Sequence, residues 1–426
     1  MNTNKTQNQG LINKGNLWPF ILITSLFMLW GLANNMTDTL LAAFKKIMSM
    51  TDFQTSWIQL AFYGAYFCLA FPAALYIRRY TYKSGILLGL SLFAFGSLLF
   101  YPASLTMSYG FFLLALYILA GGLSILETAS NPYILVMGPP ETATRRLNLA
   151  QSFNPIGSLI GIYMSKVFIL SKLNVAEATD RSSMDETMLR EIQSQELTGV
   201  MSAYVGVAIF LVFLWFVIKM TKMPKAVEVK EAGKLGPAVK RLLSNKRYMT
   251  GVVAQFFYVG AQIGVWSFTI RYVMEALDVN ESAASDYYMM SLVLFAGSRF
   301  VFTALMKFIQ PSLLLAISAV GAVICSLIAI YGGGLTGVMA LVAVSAWMSL
   351  MFPTIYALAA EGLGEDTKLG GSGLIMAILG GAVLTAVQGF VSDSYGSVNI
   401  SYYIPVTCFI VIFVFGVMQF RRKAVN

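Results

Sequence analysis

Two carboxylates stand alone in long apolar stretches: Asp38 in LWGLANNMTDTLL and Glu127 in ILAGGLSILETASNPYILVMG. Glu127 is the only Asp, Glu, Lys or Arg between Lys83 and Glu141, and Asp38 the only one between Lys14 and Lys45. An acid at bilayer depth costs about 2.5–3.5 kcal/mol or more, so such a residue faces a protein interior or an aqueous path. Burial without a cation penalises the charged form of a carboxyl group, which then exchanges its proton when water reaches it. The chain has no histidine, so these two acids are the expected proton carriers. The chemistry they predict is reversible protonation linked to the movement of a cargo, with no covalent bond broken.

Polar and aromatic side chains gather at helical spacing around these acids and in four further stretches. Trp30, Asn34 and Asp38 follow at i, i+4 and i+8 on one helix face, with Asn35 beside them. The plainer reading makes the asparagines interhelical glue and Trp30 a packing residue. Around Glu127, the residues Ser124, Ser130 and Asn131 fall on neighbouring i+3 and i+4 positions. Asn148, Gln151 and Asn154 step by three ahead of Pro155. Amides offer donors and acceptors together, which suits a neutral polyol. Asn148, nearest the start of its helix, is expected to cap or gate. Gln255, Tyr258, Gln262 and Trp266 form a polar and aromatic stripe, the pattern of an amphipathic cavity wall whose rings pack on the C–H faces of a pyranose. Tyr356 in FPTIYAL is a further lining candidate, whereas Gln59, Tyr63 and Tyr66 read as packing before contact. Arg299 in GSRFVF is a lone charge whose partner the sequence does not name.

The elements that must position these residues are membrane spans. The 426 residues are 57% hydrophobic and 12% charged, with mean hydropathy +0.71, against roughly 25% charged in soluble domains. Twelve apolar runs, near 17–43, 53–77, 84–103, 108–136, 147–171, 199–219, 248–273, 286–306, 311–331, 336–360, 369–391 and 401–420, are long enough to cross ~30 Å of hydrocarbon. The first is too long for a signal-peptide core and is kept as a span. The expected fold class is an all-α membrane protein with twelve transmembrane helices in two six-helix bundles.

Of the 29 Lys and Arg, 21 fall on one side of these spans, including Arg78, Arg79, Lys83, Arg145, Arg146, Lys307, Lys368 and the Lys-rich 219–247 segment. The positive-inside rule places that side, and both termini, in the cytoplasm. The net charge of +9 follows from this topology and gives no support for a nucleic-acid partner. The expected organisation is a tail over 1–16, a bundle over 17–219, a linker over 220–247, a second bundle over 248–420 and a tail over 421–426, with a mixed-charge external loop near 172–198. Cys68, Cys325 and Cys408 lie in apolar runs and read as packing residues. No metal-ligand spacing and no phosphate-binding loop is present, so no cofactor is expected.

The halves echo one another. NPYILVMGPPETATRRLNLAQSFNPIG (131–157) and FPTIYALAAEGLGEDTKLGGSGLIMAILGG (352–381) share the order Pro-x-Ile, Gly, acid, Thr, base, then a Gly-bearing helix start. Parallel duplicated halves bind substrate at their interface near midplane and rock about it. LWGLANNMTD (29–38), LETASNP (126–132), RLNLAQSFN (146–154), QFFYVGAQIGVWSFTIRY (255–272) and GFVSDSYG (389–396) resemble the fucose–proton symporter family of the major facilitator superfamily, and the similarity runs through nearly all twelve spans. One departure is the loop after the second span, AALYIRRYTYKSG (73–85), which keeps its basic residues but lacks the superfamily's acid.

The resemblance implies a proton-coupled symporter importing a neutral hexose, L-fucose first, as a monomer in the bacterial inner membrane. It assigns Asp38 and Glu127 to proton coupling. It assigns Trp30, Asn35, Glu127, Gln151 and Asn154, with Tyr258, Gln262, Trp266 and Tyr356 from the second half, to the sugar. Alternatives are a carrier for glucose, galactose or N-acetylglucosamine, coupling to sodium through the same acids, a drug exporter, which an amide-rich cavity disfavours, and a non-transporting sugar sensor.

Overall fold

A computed structural model describes residues 10–13, 15–47, 52–169, 185–224 and 234–425, and among these there is no β-strand. The first half contains α1 (Leu17–Ile47), α2 (Asp52–Arg79), α3 (Tyr82–Thr106), α4 (Tyr109–Leu135), α5 (Ala143–Gln151), α6 (Phe153–Phe168) and α7 (Glu186–Met220). A short helix, α8 (Leu235–Ser244), lies in the connection. The second half contains α9 (Lys246–Leu277), α10 (Glu281–Leu305), α11 (Pro311–Tyr331), α12 (Gly334–Met348), α13 (Met351–Ala360), α14 (Thr367–Met376), α15 (Gly380–Tyr395), α16 (Val398–Ser401) and α17 (Tyr403–Val425). Among the described residues, eleven spans are long and apolar enough to cross a membrane. The twelfth crossing is the α5–α6 pair, divided at Ser152. The expected all-helical, twelve-span architecture is the observed one.

Helix starts are fixed by polar caps where the chain leaves the apolar layer. Thr81 and Ser84 form a reciprocal capping box at α3, and the Asn245 and Asn280 side chains accept from the amides of Tyr248 (3.1 Å) and Ala283 (2.9 Å). The basic end is stitched through carbonyls. Lys83 donates to the Lys219 and Thr221 carbonyls at 2.7 and 2.8 Å, closing the C-terminus of α7. Arg146, fully buried, donates to the carbonyls of Leu11, Ile134, Leu135, Gly138 and Pro139. In the second half Arg241 grips Asp366 with two bonds of 2.8 Å.

The sequence echo is a structural one. In the first half a 3₁₀ turn, Pro140–Thr142, leads into α5, a break, and α6; in the second, Gly364–Asp366 leads into α14, the 3₁₀ turn Ala377–Leu379, and α15. The outer member of each broken span then packs on the first helix of its own half, α6 on α1 and α15 on α9. Glycine makes both crossings possible. A Cβ at Gly157 would stand 1.7 Å from the Met28 carbonyl oxygen, and one at Gly380 would stand 2.0 Å from that of Phe256.

The halves meet most closely at the basic end. There α14 packs on α2 and α4, and α13 packs on α5. The Asn148 amide donates to the Thr354 hydroxyl at 3.1 Å across the divide, so Asn148 sits where the halves close. Lys368 lies 5.3 Å over the Tyr82 ring. A cavity remains between the halves at mid-depth.

The close crossings are testable. Gly157→Ala forces backbone apart in the first bundle and is expected to destabilise it by about 1–3 kcal/mol or more. Gly64→Ala, on a helix with nothing within 4 Å of the added carbon, is expected to leave stability unchanged or slightly raised. Thermal unfolding in detergent measures both; equal melting of the two variants would remove this account of the α1–α6 contact.

Candidate substrate and proton site

The cavity between the halves has a volume of about 230 Å³ and is walled by α1, α2, α4 and the α5–α6 break on one side and by α9, α10 and α13 on the other. It falls just below the ~300–1,000 Å³ range of small-molecule sites, a size for a monosaccharide rather than for a large apolar drug. Its wall mixes amides and a carboxyl group with aromatic rings.

Glu127 reaches this wall from α4 and is 4% exposed. Two aromatic residues stand beside its carboxyl group: the Trp30 indole N–H donates to the Tyr66 hydroxyl at 2.8 Å, and Tyr66 neighbours Glu127 on the cavity wall. Phe27 stacks on Trp30 with centroids 5.9 Å apart, fixing the ring plane. Glu127 Oε2 is buried and has no hydrogen-bond partner among the described residues, and no Lys or Arg pairs with this carboxyl group among them. The neighbouring amides are ordered: Asn131 donates to the Glu127 carbonyl at 3.2 Å, and Gln151 donates to Asn131 Oδ1 at 2.7 Å. Asn154 donates to the Phe27 carbonyl at 3.2 Å, and Asn35 to that of Gly31 at 3.1 Å. Asn131 is thus held through both of its groups, while Gln151, Asn154 and Asn35, each held through its amide nitrogen, line the cavity.

The opposite wall is built by α9 and α10. Trp266 donates its indole N–H to Ser345 at 3.2 Å and meets Phe295 edge-on at 4.9 Å. With both indole N–H groups of Trp30 and Trp266 committed to protein, what these residues offer the cavity is ring surface. Gln262 lies on the same wall, a turn deeper. Arg299, 3% exposed, forms part of the floor. It donates through Nε to the Ser349 carbonyl and through Nη1 to that of Gln151 at 2.9 Å, one in each half, and its guanidinium carbon lies 4.5 Å from the Phe295 centroid.

Seven of the expected site residues meet at this cavity: Trp30, Asn35, Glu127, Gln151, Asn154, Gln262 and Trp266. Two do not. Tyr258 is fully buried beneath the floor, where its hydroxyl donates to the Met348 carbonyl at 3.1 Å. Tyr356 is fully buried within the closed end, its hydroxyl close to Gly371. Tyr258 in the α9 stripe, and Tyr356 on α13 one turn beyond Phe352, each lie about a turn deeper than the residues that line the cavity, since four residues move about 6 Å along a helix. Asp38 lies on α1, but its side chain, like that of Gln59, lies outside the described residues. Sequence reasoning undervalued Tyr66 and Tyr63, which line the cavity; Tyr66 falls on the α2 face opposite Glu127, a pairing with no signature in sequence spacing.

The sequence matches the Major Facilitator Superfamily over residues 20–383. It is 41% identical over 422 residues to the L-fucose-proton symporter of Haemophilus influenzae, covering 96% of this chain and 98% of that one. It is 32% identical over 405 residues to a glucose/galactose transporter of Brucella abortus, covering 93% and 92%. The crystal structure of the transporter FucP in the outward conformation matches with TM-score 0.89 and 37% identity, over 95% of this chain and 99% of that one. The chain belongs to the Major Facilitator Superfamily, in the family that includes the L-fucose-proton symporters.

Proposed function

We propose that this chain is a proton-coupled symporter that imports a neutral hexose, L-fucose first among the candidates, by alternating access. The observation that carries the reading is Glu127: a buried carboxyl group with one oxygen unpartnered among the described residues, on the wall of a monosaccharide-sized cavity between two halves. The greater similarity to an L-fucose-proton symporter than to a glucose/galactose transporter supports L-fucose over those sugars. With the basic end in the cytoplasm of a bacterial inner membrane, closure at that end makes the cavity outward-facing. The bundles would extend over 17–219 and 248–420, joined by 220–247.

In this scheme the outward cavity takes a proton on Glu127 and on Asp38, then the sugar. The rings of Trp30 and Trp266 pack on its apolar face, while Asn35, Gln151, Asn154 and Gln262 exchange hydrogen bonds with its hydroxyls. Closing dry protein around a neutral carboxyl group costs far less than closing it around a charged one, so the loaded, protonated form is the one that turns inward. Opening the basic end parts α13 from α5 and brings Tyr356 and Tyr258 to the inner wall, which gives those two residues their role on the release side.

Glu127→Gln fixes the side chain in a neutral form; it is expected to abolish uphill accumulation of labelled L-fucose in proteoliposomes and to change its affinity. Asp38→Asn is expected to lose pH-driven accumulation while keeping exchange; full accumulation by Asp38→Asn at every pH would refute its assignment. For the intact carrier, accumulation is expected to rise as the external side is acidified, because protons load there, and to collapse with a protonophore. Replacing sodium with choline is expected to leave uptake unchanged; a loss would indicate sodium coupling. A counterflow panel of L-fucose, D-galactose, D-glucose and N-acetylglucosamine is expected to show L-fucose exchanging fastest.

A further inference from the structure

Arg299 is a buried cation with no carboxylate partner among the described residues. A lone charge in such a place is costly unless oxygen dipoles surround it. A guanidinium carries five N–H groups in a rigid plane. Two are committed, one to the Ser349 carbonyl and one to the Gln151 carbonyl; the Tyr258 hydroxyl below donates its own hydrogen bond to the Met348 carbonyl. The first two acceptors lie at helix breaks, Gln151 at the end of α5 and Ser349 between α12 and α13. Phe295 covers one face of the group at 4.5 Å. The plane of the guanidinium is thus fixed from both halves, its other N–H groups make no hydrogen bond among the described residues, and the side chain is part of the cavity lining.

We propose that Arg299 is a sugar-binding residue, whose uncommitted N–H groups hold two adjacent hydroxyl oxygens of the cargo at the cavity floor. The inference rests on the sugar reading above and deepens it. A planar fork of donors matches a pair of neighbouring oxygens, and charge assistance makes such bonds roughly twice as strong as neutral ones. Lysine, a point charge on a flexible stem, does not reproduce the fork. A residue serving only to bridge the halves needs just the two carbonyl contacts, and a neutral amide supplies those at a lower desolvation cost. What the arginine adds is a pair of oriented donors beside the amides of the wall, and with them a preference for a cargo that presents vicinal hydroxyls.

The test is equilibrium binding to the full-length carrier in detergent, by calorimetry, of L-fucose and its 2-, 3- and 4-deoxy analogues. Binding is read independently of cycling, so a conformational defect does not mask it. For the unmodified protein, removal of either of two adjacent hydroxyls is expected to weaken binding by about tenfold or more, the size of one good charge-assisted contact. Arg299→Gln is expected to weaken L-fucose by a similar factor and to abolish the penalty at those two positions while leaving it at the third. Arg299→Lys is expected to restore part of the penalty at one position only. If Arg299→Gln slows counterflow while every deoxy penalty persists, the residue is a bridge between halves and the proposal is overturned. If Arg299→Gln does not yield a folded carrier, unchanged penalties at both positions in Arg299→Lys overturn it equally. Failure of the unmodified protein to bind any of these sugars would instead remove the function proposed above.

Discussion

A charge taken out of water must be matched by oriented dipoles or neutralised, and the two ionisable groups on this cavity wall meet that demand in opposite ways. Arg299 is matched: backbone carbonyls from both halves and an aromatic face surround it. Glu127 is not: no Lys or Arg pairs with it and its Oε2 has no protein partner among the described residues. A matched cation is a permanent part of the structure. An unmatched carboxyl group is a variable one, because its charged form is the expensive form whenever the cavity is sealed. On the cycle proposed above, the contrast separates the fixed element of the site from the one that changes state.

The carbonyls that match Arg299 are available because helices on both sides of the divide are broken at the same depth. An unbroken helix uses each carbonyl internally, four residues on. The breaks after Gln151 and around Ser349 free acceptors at mid-membrane, tolerable only where protein or a cavity satisfies them. The break in the first half recurs in the second at Ala377–Leu379, where the outer helix again turns to lie against the first helix of its own bundle through a glycine. Each bundle is thereby a tight unit, while contacts between bundles, such as Asn148 with Thr354 and Lys368 over Tyr82, are fewer polar links that break without disturbing either core. Packed units joined by such links have discrete arrangements rather than a continuum.

The spans were legible from composition because a run of about 20 apolar residues has few other structural uses. The acids were legible for the converse reason, since Glu127 and Asp38 violate that rule. Periodicity also located the cavity faces of α1, α5–α6 and α9, bringing Trp30, Gln151, Gln262 and Trp266 together as expected. It reports angle about a helix and says nothing of depth, so Tyr258 and Tyr356 were grouped with residues a turn above them. Arg299 was recognisable as anomalous, but its partners were not read, although each freed carbonyl has a proline four residues on, Pro155 after Gln151 and Pro353 after Ser349. The missing acid in the loop after α2 has a similar explanation: Lys83 there serves the carbonyl end of α7 and needs no carboxylate.

The depth error itself carries information about the cycle. Phe352 lines the cavity and Tyr356, one turn further along α13, lies sealed in the closed end. On α9 the same succession runs from Trp266 and Gln262 at the wall to Tyr258 and Gln255 below it, and Gln255 is buried with neither amide atom bonded among the described residues. A polar stripe that continues past the floor of a cavity is expensive if the floor is permanent, because each buried amide loses its water without replacement. It is inexpensive if the floor moves and these residues face water for part of the time. The stripe on α9 therefore fits two cavities at different depths sharing one midplane, and on the function proposed above the residues at the shared level, Glu127, Gln151, Gln262 and Arg299, would hold the cargo in both.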